Sequence, residues 1–251
     1  MKIFYFSSTG NSLSIAKEIR GELYSIPKVL KGNNFEFQDE QIVIVFPCYA
    51  GGVPRIVQEF LNKIQLKSSY IAVIMSYGRF SMGGLDQFKK LANKSGIKVS
   101  YSNKILMPDN YVSYFDMDKE INNEPNLNIE ENLSKIVSDI GLKREYAKEA
   151  GLLKKLGTFY SLWHFNKFLY GKMPEKFTVE DTCNGCKICE KVCPVDNITV
   201  EGKPVFNNYC DNCLACTHHC PQNAIRDKNE KSRTRYINKN VSLKEIIEAN
   251  N

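Results

Sequence analysis

The chain is predicted to be α/β, with a doubly wound parallel sheet of five strands followed by a small cysteine-rich α+β unit. Three observations predict this. Apolar β-rich runs alternate with stretches of helical periodicity from Lys2 to Met107. Beyond Pro174 that periodicity gives way to a segment dense in cysteine. Within this segment one cysteine spacing occurs twice. A length of 251 residues, 43% of them apolar, is enough for one large domain or two smaller ones.

Lys2–Phe6 is a short apolar strand, and Asn11–Leu23 carries helical spacing at Leu13, Ala16, Ile19 and Leu23. Val29 and Leu30 are assigned to a short second strand. Ile42–Phe46 is apolar on both faces, as a buried parallel strand should be. Pro54–Ile64 reads as a helix with proline in its first turn. Tyr70–Met75 is another buried strand, Gly83–Lys94 another helix, and Ile97–Met107 contains the fifth strand. Pro108–Pro125, rich in Asn, Asp and Tyr, reads as a loop. Asn128–Ala150 is expected to be a charged helix. Leu152, Leu153, Leu156, Phe159, Tyr160, Trp163, Phe168 and Leu169 fall at helical spacing, the mark of a helix packed into or between domains, with a membrane-surface helix as the alternative. The domain boundary is placed near residue 175. The tail after Arg226 shows one helical pattern, Val241–Ala249.

No apolar run is long enough to span a bilayer, and the start lacks the pattern of a secretory signal. With eight of nine cysteines in two dense clusters, metal ligation in a reducing cytoplasm is the expectation, ahead of disulfides. The formal net charge is +6. Arg226, Lys228, Lys231, Arg233, Arg235 and Lys239 supply part of it. They read as a solvated surface segment or as a docking patch for an acidic redox partner. No nucleic-acid motif is present, and no nucleic-acid partner is expected.

The cysteine repeat is the strongest signal. Cys183-x2-Cys186-x2-Cys189-x3-Cys193-Pro194 recurs as Cys210-x2-Cys213-x2-Cys216-x3-Cys220-Pro221, at a constant offset of 27 residues. A cubane cluster needs four thiolates, one per iron. Three cysteines spaced by two residues wrap one side of the cube, and the fourth must come from elsewhere. A zinc site uses paired Cys-x2-Cys elements and four ligands per ion, so this pattern exceeds its needs. His164, His218 and His219 are then structural or surface residues, since eight thiols suffice. The stretch Thr178–Arg226 closely resembles bacterial-type ferredoxins, in which the cysteine before proline ligates the other cluster. The resemblance implies Cys183, Cys186, Cys189 and Cys220 on one 4Fe–4S cluster, and Cys210, Cys213, Cys216 and Cys193 on a second.

Directly after the first strand stands Ser7-Ser8-Thr9-Gly10-Asn11-Ser12, with a helix following. Backbone N–H groups and hydroxyls meeting at a helix N-terminus suit a phosphate. The plainer reading is that these residues cap the helix. The loop matches neither a Walker pattern nor Gly-x-Gly-x-x-Gly. It is similar to the phosphate loop of flavodoxins at Ser7, Thr9, Gly10 and Ser12. Phe46–Pro54 and Ser76–Phe80 follow later strands where that family places its flavin-flanking loops. The resemblance, over Met1–Lys104, implies a flavodoxin-like sheet binding FMN. Ser7, Thr9, Asn11 and Ser12 would hold the phosphate, with backbone help from Ser8 and Gly10. Pro47, Cys48, Tyr49, Ala50, Gly51 and Gly52 would flank the ring on one side, and Ser76, Tyr77, Gly78, Arg79 and Phe80 on the other. Tyr49 and Tyr77 are candidates to stack on it, each with ordinary core burial as the alternative. Arg79 is a candidate to stabilise anionic reduced flavin. Cys48 is either inert or redox-active.

Gly51-Gly52-Val53-Pro54 and Met107-Pro108-Asp109-Asn110-Tyr111 carry a resemblance to flavodoxin–ferredoxin fusion proteins of anaerobic microbes. It implies a flavodoxin-like FMN domain at 1–125, a helical linker at 126–175, a bacterial-ferredoxin-like 2×(4Fe–4S) domain at 176–228 and a basic tail at 229–251. The implied function is electron transfer between FMN, the clusters and a redox protein partner. The alternatives are a flavin-dependent reductase of a quinone or nitro compound, and an iron–sulfur redox sensor. No pyridine-nucleotide fingerprint is present.

Overall fold

The computed structural model describes residues 1–147, 156–161, 163–164 and 173–251. Strand β1 (Lys2–Tyr5) leads through helix α1 (Asn11–Ile19) to β2 (Glu22–Ser25) and α2 (Ile26–Lys31). Then follow β3 (Glu36–Gln38), β4 (Gln41–Pro47), α3 (Arg55–Lys63), β5 (Gln65–Lys67), β6 (Tyr70–Tyr77), α4 (Gly84–Lys94) and β7 (Tyr101–Leu106). Five of these strands form one parallel sheet in the order β2-β1-β4-β6-β7, while β3 and β5 pair separately. The order reverses direction between β1 and β4, and the loops at the strands' carboxyl ends open there.

The sheet forms because its central strands are β-branched and apolar on both sides. Ile42 to Phe46 and Ile71 to Met75 are buried throughout. Helix α1 and helix α6 (Ile129–Gly141) cover one face through Leu13, Ala16, Ile136 and Ile140. Helices α2, α3 and α4 cover the other through Val29, Phe60, Leu61 and Phe88. Each fully buried side chain of this size contributes about 1.5–3 kcal/mol. The C-terminal part holds two antiparallel pairs. One is β8 (Phe177–Val179) with β11 (Ile225–Asp227), the other β9 (Ile198–Glu201) with β10 (Lys203–Phe206). Two short helices, α7 (Ile188–Lys191) and α8 (Ala215–His218), carry cysteines, and α9 (Leu243–Asn250) ends the chain.

Several expectations are corrected. Helix α1 stops at Ile19, not Leu23, because Arg20 takes a left-handed conformation and turns the chain into β2. Leu23 therefore lies in the edge strand. Val29 and Leu30 are helical, in α2, with Pro27 in its first turn. The expected loop 108–125 contains a helix, α5 (Met117–Asn123), whose N-cap Asp116 accepts hydrogen bonds from the Asp118 and Lys119 N–H groups. The helix expected over Asn128–Ala150 ends at Gly141. Residues 148–150, and Leu152, Leu153, Phe168 and Leu169 of the next expected helix, lie outside the described residues. Residues 156–161 and 163–164 are helical.

The basic tail differs most from the solvated segment expected. Arg226 and Arg235 both pair with Glu230, and all three side chains are largely buried. Arg233 pairs with Glu180 and Lys239 with Glu124. Tyr236, Val241, Ile246 and Ala249 are buried. The last three join the core shared by α1, β1 and α6. Helix α9 starts on a capping box: Ser242 Oγ accepts from the Glu245 N–H while Glu245 accepts from the Ser242 N–H.

Candidate functional site

The two cysteine loops fold alike. Left-handed backbone recurs at the repeat offset, in Gly185 and Asn212, Lys187 and Leu214, Asp196 and Asn223. Gly185 also lies where a side chain would strike the Gly202 carbonyl, 2.7 Å from an added Cβ. The cysteine before each proline accepts a backbone hydrogen bond in the same way. Asn197 N–H donates to Cys193 Sγ at 3.2 Å and Ala224 N–H to Cys220 Sγ at 3.3 Å.

Cys183, Cys186, Cys189 and Cys220 line one shallow pocket. Burial pushes the Cys189 thiol up to about 11, and Cys186, Cys220 and Cys183 are the thiols that add to the effect. Cys213 is pushed well up by burial, then by Cys193, Cys210 and Cys216. Cys189 thus has Cys220 of the opposite loop among its neighbouring thiols, Cys213 has Cys193, and Cys216 has both Cys193 and Cys189. Such thiols ionise only with a positive charge among them, which iron supplies. Among the described residues no three His, Cys, Asp or Glu side chains converge on a single ion.

A groove runs along the carboxyl ends of β1, β4, β6 and β7. Its inner part is lined by Ser7, Ser8, Thr9, Asn11, Ser12, Pro47, Cys48, Tyr49, Ser76, Tyr77, Gly78 and Met107–Asn110. Its outer part continues past Cys48, Tyr49, Gly78, Asp109 and Asn110 into a wider open space. Ala50, Gly51, Phe80, Met82, Tyr111, Tyr114 and Phe115 line it there. Asn212, Cys213 and Leu214 of the second cysteine loop form part of the same wall. Helix α1 begins at Gly10 with no side-chain cap, so its first N–H groups are not spent on one.

The second cysteine loop is fastened to this groove. Asp211, fully buried, accepts from Arg55 Nε at 3.1 Å and from the Ile56 N–H at 3.3 Å, capping α3 from outside. Burial still pushes its carboxyl up, so Arg55 only partly offsets the desolvation. Asn212 and Lys176 donate to the Tyr111 hydroxyl at 3.0 and 2.8 Å. His218 Nε2 lies 2.7 Å from the Asn110 carbonyl and His219 Nε2 lies 2.9 Å from that of Ser8. Burial holds both imidazoles below their usual range, His218 at about 3. They stay neutral and bridge the cysteine helix to two groove loops.

A family model described as a 4Fe–4S binding domain matches residues 177–199. The chain therefore carries an iron–sulfur binding domain there, and at least one 4Fe–4S cluster is implied. No curated protein matches the sequence. Among solved structures, the Trp repressor binding protein from Bacillus subtilis aligns over 59% of this chain and 99% of its own. The identity is 12% and the TM-score 0.34.

The expected groove residues are largely brought together, with three qualifications. Asn11 is turned to the tail: its Oδ1 accepts from Tyr236 at 2.7 Å and Asn238 at 3.1 Å, and its Nδ2 donates to the Pro108 carbonyl. Arg79 donates to Glu120 at 2.9 Å, beside the Phe115 ring. Gly52 closes a tight turn with Tyr49 through paired backbone bonds. Ser12 and Ser76 meet through their hydroxyls at 2.9 Å, and Tyr49 donates to Ser8 at 3.3 Å. Tyr49 lines both parts of the groove and Tyr77 only the inner one. Cys48 lines both parts of the groove, and burial pushes its thiol up to about 12. Tyr114, Phe115, Met82, Ser161 and His164 were not foreseen in the groove. The Met107–Tyr111 loop follows the fifth strand, so the strand-end rule that located the other loops reaches it too.

Proposed function

We propose that this chain is an electron-transfer flavo-iron–sulfur protein, binding FMN in the groove and two 4Fe–4S clusters in the cysteine loops, and serving a redox protein partner. The observation that carries the reading is the shared wall: Cys213 lines the groove that also runs along Tyr49, Gly78 and the Ser7–Ser12 loop. The strand order, 2-1-3-4-5 within the main sheet, supports a flavodoxin-like assignment, with a ligand at the switch point. The buried hydroxyls of Ser7, Thr9 and Ser12 and the uncapped start of α1 fit a phosphate. Glycine at 78 fits a close approach of loops, since an added Cβ would lie 2.1 Å from Asp109 Oδ2.

The matching backbone of the two cysteine loops supports two clusters with crossed ligands. Cys183, Cys186, Cys189 and Cys220 would hold one, and Cys210, Cys213, Cys216 and Cys193 the other. When bound, FMN supplies one- or two-electron chemistry and the clusters one-electron chemistry. The protein's part is to fix the separation. Asp211, Asn212 and the two histidines hold the second cysteine loop against the groove, and the Asn197 and Ala224 N–H groups bond sulfur.

Anaerobic cofactor analysis tests the reading. Two cubanes and one FMN per chain are expected, and rapid-mixing spectra should show flavin and cluster bands responding together. Clusters reduced with no flavin response would overturn it. The outer groove, lined by Tyr49, Phe80, Tyr111, Tyr114 and Phe115, favours a second reading as a reductase of a planar small molecule such as a quinone. Turnover of such acceptors would separate the two.

A further inference from the structure

We infer that the helical residues 156–161 and 163–164 form a docking surface for an anionic lipid bilayer. Their orientation is the reverse of a core helix. Thr158 faces inward and is buried, accepting from the Gly83 N–H at 2.6 Å and donating to the Gly51 carbonyl. Ser161 and His164 line the outer groove. The apolar positions face out: Leu156, Phe159, Tyr160 and Trp163 are 56%, 73%, 66% and 48% exposed. They are spaced i, i+3, i+4, i+7, one stripe of a helix. Phe80 and Tyr114, 66% and 70% exposed, stand at the mouth of the groove that Ser161 and His164 line. Exposed apolar side chains grouped this way mark a contact surface.

Composition selects the occupant. From Ala150 to Pro174 the sequence has Lys154, Lys155, Lys167 and Lys172 and no acidic residue. Tyrosine and tryptophan on an apolar stripe, with lysine as the only charge, suit the headgroup level of a negatively charged membrane. No helix among the described residues is long and apolar enough to cross a membrane, so the contact is to its surface. The groove mouth then faces the bilayer. This inference does not rest on the flavin.

Trp163 is the chain's single tryptophan, so its emission reports on this face directly. Holoprotein is mixed anaerobically with vesicles of phosphatidylcholine, and with vesicles that also contain phosphatidylglycerol. The expected result is a blue shift and co-sedimentation on the anionic vesicles, about tenfold stronger than on the neutral ones and weakened by salt. The double variant Phe159→Ser/Tyr160→Ser should lose both while keeping its iron–sulfur absorbance. No shift, or an equal shift on both vesicles, overturns the inference. Self-association without vesicle binding also overturns it and assigns the face to a second copy of the chain. If the double variant loses its clusters, the contrast between the two vesicles still decides.

Discussion

Cys213 stands where the cysteine loop and the groove meet. Its thiol is held well above its ordinary range, through burial first and three neighbouring thiols second. Replacing it should cost one cluster and spare the other. Cys213→Ser is expected to lower iron and sulfide by about half, read by chemical analysis of anaerobically purified protein, and an unchanged content would remove it from the ligand set. The cysteines were legible because their chemistry demands a local spacing. The groove was legible where a loop leaves a strand, as at Ser7–Ser12. Tyr114 and Asn212 were not, because nothing local marks a residue that reaches the groove from a distant loop. Asn11 lines the inner groove as expected, but its bond to Tyr236, over two hundred residues away in sequence, had no local sign either.

Among the elements, α3 and α9 show two ways of satisfying a helix start. Helix α3 borrows Asp211 from the cysteine loop, so the helix and the loop fix each other's position. Helix α9 supplies its own capping box, and Glu245 also accepts from Lys17 at 2.7 Å. That hydrogen bond first, and the Ser242 N–H next, hold the Glu245 carboxyl at about 2, below its ordinary 4.5. A lowered carboxyl stabilises the fold above its unfolded pKa and loses that contribution as pH falls through its folded pKa. Its window therefore runs from about 4.5 down to about 2. Both side chains are 36% exposed, so screening keeps the effect under about 1 kcal/mol. Wild type should lose stability more steeply than Glu245→Gln across that window, measured as thermal midpoints near pH 5 and pH 3. Parallel curves would contradict this. Helix and strand identities were legible where periodicity was strong. The stop at Arg20 was not, since a left-handed arginine has no sequence signature of its own.

For the whole molecule, the decisive contacts join the chain's ends. Val241, Ile246 and Ala249 share a core with Ile3, Leu13 and Ile136, and the Asn238 N–H donates to the Thr9 carbonyl at 2.8 Å. A chain ending at residue 228 loses these contacts, at a cost on the order of 4 kcal/mol, a large share of a domain's net stability. Its thermal midpoint should fall by several degrees or more, followed by circular dichroism, while an unchanged midpoint would show the tail to be dispensable. A basic composition pointed to solvent here. Burial won because Glu230 neutralises two arginines at once and because the apolar residues of α9 recur at helical spacing.

Helix α9 also sets an order on synthesis. β1 leaves the ribosome more than two hundred residues before α9, whose Val241, Ile246 and Ala249 region joins its core. At about 5–20 residues per second, that wait is on the order of ten to fifty seconds. Both cysteine loops emerge within it, before α9 reaches the core it shares with Ile3 and Leu13.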